Sequence, residues 1–304
     1  MKGQLPTNLI LLVLSSMLII SGCETTLEFP EQNLAPKLTI ISHLTSTDTL
    51  GWETPRVFVY ASQSPSDSST FVTPANLDVE VTELETDYSI RLDQSNEGGE
   101  SFFNFPKDFL KEGFSYTISA FAPGFESVRA TTRIPRPSTI SNLNILDISI
   151  EPSTKNEFKN IVRYTLVFDI EHFESNQYYH LVFYNEYDSL NNKFLVDPEL
   201  SDDQPFLRHY DFGILIDKED LSPGEPLTFH FVDWVVGNHD LKKVYVELRT
   251  ITQEYYKYHS SLARQLIVRQ DPFAEPVTIY NNIEGGYGNF SGFSPDVSSS
   301  DLPD

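Results

Sequence analysis

Alternation of apolar and polar residues with a period of two is the feature that most limits how this chain can fold. It is clearest at 162–170, where the apolar positions are Val162, Tyr164, Leu166, Phe168 and Ile170. Successive side chains of a β-strand point to opposite faces, so this spacing predicts a strand with one buried face. The same spacing recurs at 77–82 and 114–120. We therefore predict a mainly β protein.

Two groups of such strands are separated by residues 135–139, which contain Pro135 and Pro137. Proline cannot continue a central strand, and a chain of 304 residues is long for one domain. We predict two tandem β-sandwich domains, an immunoglobulin-like one at 37–135 and a second at 140–294. The predicted strands are 37–44, 56–62, 77–82, 88–92, 114–120 and 127–135, then 145–150, 162–170, 178–184, 227–234 and 242–248.

One segment, 250–270, has helical spacing. Its apolar residues recur at intervals of three and four, which places on one helix face Ile251, Tyr255, Tyr258, Leu262 and Leu266. Thr250 and Gln253 have the spacing of a capping box. Asp271-Pro272 would end the helix, because proline disfavours the α region in the residue before it. We predict one long helix that docks by this face onto the second sandwich.

A run rich in glycine and aromatic residues follows the helix. Residues 277–280 alternate as a strand does, and the glycines that come next tolerate positive φ: Gly285, Gly286, Gly288 and Gly292. We predict a strand at 277–280 that enters a tight glycine turn. Residues 295–304 are predicted to form a disordered tail.

Some aromatic residues of this region lie off the predicted buried stripe. They form a candidate contact surface consisting of Tyr256, Tyr280, Tyr287, Phe290 and Phe293. Rigid aromatic side chains carry much of the binding energy at interfaces and sugar sites. The alternative is that these rings pack against the second sandwich and close its end.

The first residues have the organisation of a secretory signal. Lys2 precedes an apolar region of 12 residues, Leu9–Ile20, and the run Ile20-Ser21-Gly22-Cys23 resembles the lipobox of bacterial lipoproteins. A region of 12 residues is too short to span a bilayer comfortably. We predict a signal peptide at 1–22, a lipidated (palmitate-type) Cys23 and a tether at 23–36. Since Cys23 is the single cysteine, an intramolecular disulfide is excluded.

Charge and motifs limit the chemistry that this chain can perform. The formal net charge is −23, and an acidic surface makes nucleic acid an unsuitable partner, because phosphate binding requires clustered Lys and Arg. His172 and His180 lie eight residues apart, which is not a zinc spacing, so we predict neither a metal nor another cofactor. Isolated histidines such as His180 and His259 are expected to be structural. We find no nucleophile motif and predict a protein without catalytic activity, although a carboxylate pair of the glycosidase type stays open.

Several sequence runs resemble one known family in the same order. They are KLTIISHLT, YTISAFAPGFESVRATTRIP, EYYKYHSSL and EPVTIYNNIEGGYGNFSGFS. Together they resemble a family of Bacteroidota outer-membrane lipoproteins catalogued as a domain of unknown function, family number four-two-four-nine. The resemblance implies an outer-membrane location facing the periplasm or the cell surface and association with TonB-dependent transporters. It implies no catalytic residues.

Three functions follow as hypotheses. The first is a non-catalytic lipoprotein that serves as an accessory subunit of a TonB-dependent transporter or a similar barrel. The second is a solute-binding lipoprotein for a glycan or peptide, which requires a concave, aromatic-lined pocket at the domain junction or near residues 280–293. The third is a hydrolase with two carboxylates that face each other across a cleft.

Overall fold

The computed structural model describes residues 35–47, 55–63, 71–154, 160–171, 177–188, 190–201, 204–222, 224–235, 240–269 and 273–302. The predicted signal peptide, the lipidation site Cys23 and most of the tether therefore lie outside the described residues, as does His172. Residues 36–304 make up one compact unit.

Strands dominate the part of the chain that is described. In order they are β1 (Leu38–Leu44), β2 (Arg56–Ala61), β3 (Asp78–Glu83), β4 (Tyr88–Arg91), β5 (Asp93–Glu97), β6 (Glu100–Asn104), β7 (Ser115–Phe121), β8 (Val128–Arg133), β9 (Thr139–Pro152), β10 (Asn160–Glu171), β11 (Tyr178–Tyr187), β12 (Leu190–Val196), β13 (Leu207–Arg208), β14 (Ile214–Asp217), β15 (Leu227–Val235), β16 (Leu241–Ile251) and β17 (Tyr287–Asp301). One long helix, α1 (Gln253–Val268), lies between the last two strands. The predicted fold class, mainly β sandwich with a long helix near the C-terminus, is confirmed.

A large sheet extends through both predicted domains. Its strand order is β13-β14-β11-β16-β17-β1-β2-β6-β5, and β12 also pairs with β11. Two smaller sheets, β4-β3-β7-β8 and β15-β10-β9, share hydrophobic cores with its two ends. The first core includes Ile40, Val81 and Ile118, and the second includes Phe229 and Val246, among others. The molecule is thus two sandwiches with one sheet in common.

The last strand, β17, belongs to both sandwiches. Its residues 287–292 pair in parallel with 39–44 of β1, and its residues 293–301 pair antiparallel with β16. The prediction of a disordered tail from residue 295 is therefore wrong for 295–301. The sequence of this segment is polar and has no apolar alternation from which a strand could be predicted. The strand is held by backbone hydrogen bonds to β16 and needs few apolar side chains.

The glycine-rich run is itself part of this strand. Residues 277–280 are not a strand, and the predicted tight turn is limited to the two glycines just before β17. A Cβ on Gly288 would lie 1.9 Å from the carbonyl oxygen of Ile40, and one on Gly292 would lie 2.1 Å from that of Arg133. Neighbouring backbone therefore approaches β17 so closely that only glycine fits at these two positions.

The helix starts later than predicted, and the face that it buries differs from the predicted face. Strand β16 continues through Ile251, so Thr252 is the N-cap, and its hydroxyl accepts a hydrogen bond from the Tyr255 amide at 3.4 Å. The buried helix residues are Tyr255, His259, Ser260 and Ala263. The predicted apolar stripe is therefore partly wrong: Leu262 is half-buried and Leu266 is 39% exposed. The buried face is polar because it packs on a polar cluster, described below.

Candidate functional site

Two of the five predicted contact residues are core residues. Phe290 is 0% exposed and packs in the core of the first sandwich. Phe293 is 2% exposed and packs in a small core with Ile251 and Tyr255. For these two residues the predicted surface role is wrong, because β17 lies in the middle of the large sheet and its residues 289–294 are buried on both faces.

The other three predicted residues differ in how far they are exposed. Tyr256 is half-buried, with its ring centroid 4.7 Å from that of Tyr178. Tyr280 is half-buried, and its backbone amide donates to the Ser261 hydroxyl at 3.0 Å. Tyr287 is 46% exposed at the start of β17. Of the three, Tyr287 is the one whose ring is available as a contact surface.

Tyr287 lies on the same sheet face as a group of aromatic residues from the first sandwich. Thr39 of β1 pairs with Tyr287 on one side and with Tyr60 on the other, which places all three side chains on one face. The Tyr60 ring centroid lies 6.2 Å from that of Phe58 and 5.4 Å from that of Phe71. We call Phe58, Tyr60, Phe71 and Tyr287 the aromatic face.

Sequence reasoning missed this face, because strand β2 is apolar on both sides and its outward residues were not separated from its core residues. Val57 and Val59 are 0% exposed, whereas the alternate positions Phe58 and Tyr60 are half-buried on the outer face. Phe71 is 71% exposed. Aromatic residues at alternate positions of β2, Phe58 and Tyr60, were the available signal in the sequence.

A second assembly, which we call the histidine cluster, lies under helix α1. It consists of His43, His180, His209 and His259, from β1, β11, the residue after β13, and α1. Ring centroids of His43 and His259 are 4.8 Å apart, and those of His180 and His209 are 4.4 Å apart. His180 is 0% exposed and His259 is 1% exposed. The fold therefore joins residues that are far apart in sequence.

Hydrogen bonds determine which ring nitrogen carries the proton in three of these histidines. His180 Nε2 donates to the Phe212 carbonyl at 3.0 Å, so its Nδ1 accepts from the Tyr255 hydroxyl at 3.1 Å. His209 Nδ1 accepts from the Asp211 amide, so its Nε2 donates to His259 Nδ1 at 2.9 Å. The chain ends at His259 Nε2, a buried donor without a hydrogen-bond partner among the described residues.

These histidines are held neutral by their surroundings. Burial, and then the nearby Arg249 guanidinium, lower the pKa of His43 to about 4 and that of His209 to about 3. Burial is also the largest cause that holds the pKa of His180 and of His259 well below 6.5. Arg249 Nε donates to Glu247 Oε1 at 2.6 Å, and both side chains are 0% exposed.

The histidine cluster does not have the arrangement of a metal centre. Among the described residues, no three His, Cys, Asp or Glu side chains are placed so that they could hold a metal ion together. The neutral rings instead bond to each other, to the Tyr255 hydroxyl and to backbone. The cluster therefore fixes α1 to the sheet through directional contacts.

These features define a class of β-sandwich protein in which two halves share one sheet and a docked helix covers buried polar residues. The chain belongs to the family described as Domain of unknown function (DUF4249), whose model matches residues 24–299. A search among curated proteins returned no match to this chain. In the part of the chain that is described, no helix is long and apolar enough to cross a membrane.

Proposed function

We propose that this protein is a non-catalytic outer-membrane lipoprotein that serves as an accessory subunit of a TonB-dependent transporter or a similar barrel. The observation that carries the proposal is the aromatic face, in which Phe58, Tyr60 and Tyr287 lie on the large sheet and Phe71 packs beside them. Phe71 is 71% exposed and Tyr287 is 46% exposed. Large rigid rings bury much area at little entropic cost, which is the reason that they dominate protein interfaces.

The position of the aromatic face supports a membrane-embedded partner. Lys37, which immediately precedes β1, has its Nζ 5.7 Å from the ring centroid of Tyr287. A fully extended chain from Cys23 to Lys37 would span at most about 50 Å, at about 3.6 Å per residue. A lipid on Cys23 would therefore keep the aromatic face within that distance of the bilayer.

Charge favours a protein partner over the lipid surface itself. The formal net charge of −23 repels anionic headgroups. The rings of the aromatic face are uncharged. They are therefore the part of this region that is suited to contact a protein partner.

Copurification tests the proposal. The lipidated protein is extracted in a mild detergent, and the proteins bound to it are identified by mass spectrometry. We expect an outer-membrane barrel protein in the eluate, and we expect Tyr60→Ala combined with Tyr287→Ala to reduce its recovery at least tenfold. Tyr88→Ala is the matched control, because Tyr88 is 59% exposed but lies on the smaller sheet of the first sandwich.

The anchor is tested separately. Cys23→Ala should leave unprocessed or soluble protein, because the lipid is the proposed attachment to the membrane. Recovery of this variant in the outer-membrane fraction after a carbonate wash would show that the anchor lies elsewhere. Equal recovery of the barrel with wild type, the aromatic double variant and the Tyr88 control would reject the aromatic face.

A further inference from the structure

A cleft of about 430 Å³ lies between the two sandwiches, next to the start of helix α1. We call it the junction cleft. Its lining includes Thr131, Thr132 and Arg133 from the first predicted domain and Gln177, Tyr178 and the first turn of α1 from the second. The cleft is large enough for a ligand the size of an amino acid or a dipeptide.

The first wall contains a buried amide group with an unused donor. Gln177 is 5% exposed, and its side-chain oxygen accepts hydrogen bonds from the Ser138 hydroxyl at 2.8 Å and the Tyr179 hydroxyl at 2.9 Å. Its nitrogen Nε2 has no hydrogen-bond partner among the described residues. The oxygen is thus fully used within the protein, and Gln177 is one of the residues that line the cleft. A buried donor without an acceptor is costly, and a ligand oxygen would remove that cost.

The opposite wall contains a second polar atom of the same kind. Thr132 is 5% exposed, and its hydroxyl has no hydrogen-bond partner in the described part of the chain. Its neighbour Thr131 also lines the cleft, but the Thr131 hydroxyl is bonded to that of Thr117 at 2.8 Å. Two residues that each carry an unpartnered polar atom, one from each sandwich, thus line one cleft.

The third wall is the first turn of α1, a helix of 16 residues. The first backbone amides of a helix have no partner within it and carry partial positive charge. Of these, the Thr252 amide donates to the Gly292 carbonyl and the Tyr255 amide to the Thr252 hydroxyl. Gln253 and Glu254, which line the cleft, supply the two that remain. A helix start with free amides favours an anionic oxygen ligand.

The charged side chains in the lining are Arg133 and Glu254. The Glu254 carboxylate acts on Tyr280, whose pKa is raised by burial and then by this charge. Glu254 also lines the cleft, so the one positive and the one negative side chain leave the lining without a net charge. Leu84, Ile251 and the ring of Tyr178 supply apolar surface beside the polar atoms.

We propose that the junction cleft binds a carboxylate group carried by a small, partly apolar organic molecule. The carboxylate oxygens would accept hydrogen bonds from Gln177 Nε2, from the Thr132 hydroxyl and from the first turn of α1. The free C-terminus of a peptide and a small aliphatic acid share this chemistry. The inference is independent of the aromatic face and of any barrel partner.

Isothermal titration at pH 7 of the purified mature chain tests the inference with three probes. Acetyl-Ala-Leu has a free carboxylate, acetyl-Ala-Leu-amide lacks it, and isovalerate has the carboxylate and the branched chain without a peptide unit. We expect at least one acid to bind, and the amide to bind at least tenfold more weakly than acetyl-Ala-Leu. Binding of isovalerate as strong as that of acetyl-Ala-Leu identifies a small acid as the ligand class, and weaker binding identifies a peptide C-terminus.

Two variants locate the binding in the cleft. Thr132→Val removes an unpartnered hydroxyl with little change of shape and should weaken acid binding at least fivefold. Gln177→Glu places a negative charge against the ligand and should abolish binding. Thr82→Val is the matched control, since Thr82 is a strand threonine outside the cleft.

Thermal unfolding of each variant shows whether it is folded. If Gln177→Glu does not fold, Thr132→Val decides the question. The proposal is overturned if neither acid binds to the wild type, if the amide binds as tightly as acetyl-Ala-Leu, or if folded Thr132→Val binds as the wild type does.

Discussion

Four neutral histidines in one buried cluster make the stability of this protein dependent on pH. An unfolded histidine has a pKa of about 6.5. In the folded protein the pKa of His209 is about 3, because burial and then the charge of Arg249 disfavour its protonated form. Below pH 6.5 the unfolded chain therefore binds more protons than the folded one, and stability falls.

We expect the free energy of unfolding to decrease as the pH is lowered from 6.5 toward 5. Each histidine that stays neutral in the fold contributes a slope that approaches about 1.4 kcal/mol per pH unit well below 6.5. Urea denaturation at several pH values between 7.5 and 5 measures this slope. His209→Gln should reduce it, whereas His230→Gln, at an exposed position, should not. Equal slopes for all three proteins would show that the buried histidines do not control the pH dependence.

At the scale of the element, α1 is specified mainly by local sequence, whereas β17 is formed mainly by tertiary contacts. The helix is specified locally by its cap and by residues compatible with helix, but the face that it buries is selected by the cluster beneath it. Strand β17 has no apolar repeat in its second half and is formed by its neighbours β1 and β16.

Truncating the buried face of α1 should cost far more than truncating its exposed apolar residues. Tyr255 is 1% exposed and bonds to His180, so Tyr255→Ala should cost about 3–5 kcal/mol of stability. Leu266 is 39% exposed, so Leu266→Ala should cost less than about 1 kcal/mol. Chemical denaturation measures both. Similar losses for the two variants would contradict the helix orientation.

Glycine is required at position 288 of β17 because the backbone of β1 lies too close for a side chain. Gly99, which also has a positive φ but open space around it, separates this steric effect from backbone strain. Gly288 has φ +114°, and its Cβ would lie 1.9 Å from the Ile40 carbonyl oxygen. Gly99 has φ +90° and open space around it. Gly99→Ala should cost about 1–2 kcal/mol, and Gly288→Ala should cost more than about 3 kcal/mol or prevent folding. Comparable melting temperatures for the two alanine variants would rule out the steric explanation.

At the scale of the whole molecule, the two sandwiches are coupled by their common sheet. The predicted boundary at 135–139 is also hydrogen-bonded to the large sheet. Ser138 is 0% exposed, and its amide donates to the Thr250 hydroxyl at 2.8 Å. The Ser294 hydroxyl of β17 donates to the Pro135 carbonyl at 2.6 Å. A free hinge is not compatible with these buried hydrogen bonds.

We expect the two sandwiches to unfold in a single transition, because β17 cannot leave one without breaking its pairing in the other. Calorimetry of the mature chain, combined with hydrogen exchange of β2 and β10, measures whether the two halves open together. Truncation after Gly292 removes the β16 pairing and should lower protection in both halves. Two separate transitions in the full chain would instead support two independent tandem domains.

Much of the fold class was predictable from local pattern. Residues 162–170 alternate with period two, and the strand there, β10, is present with one buried face. The helical spacing at 250–270 predicted α1 to within three residues at each end, although the N-cap is Thr252 and not Thr250, and the predicted stop at Asp271-Pro272 lies outside the described residues. The short strands β5 and β13 were missed, because neither has an apolar repeat and each is formed by backbone pairing with its neighbour, β6 and β14 respectively.

The site was less predictable, because burial depends on neighbours that are distant in sequence. Phe290 and Phe293 were predicted to belong to a contact surface because they are aromatic residues next to glycines. They are buried core residues, since β17 lies between β1 and β16 in the large sheet. His180 and His259 are isolated in sequence, and in the fold each of them contacts His209. The sequence by itself determined the strand periodicity, the helix and the family. Tertiary structure decided which faces are covered, because a period-two pattern defines the two sides of a strand but not what packs on each of them.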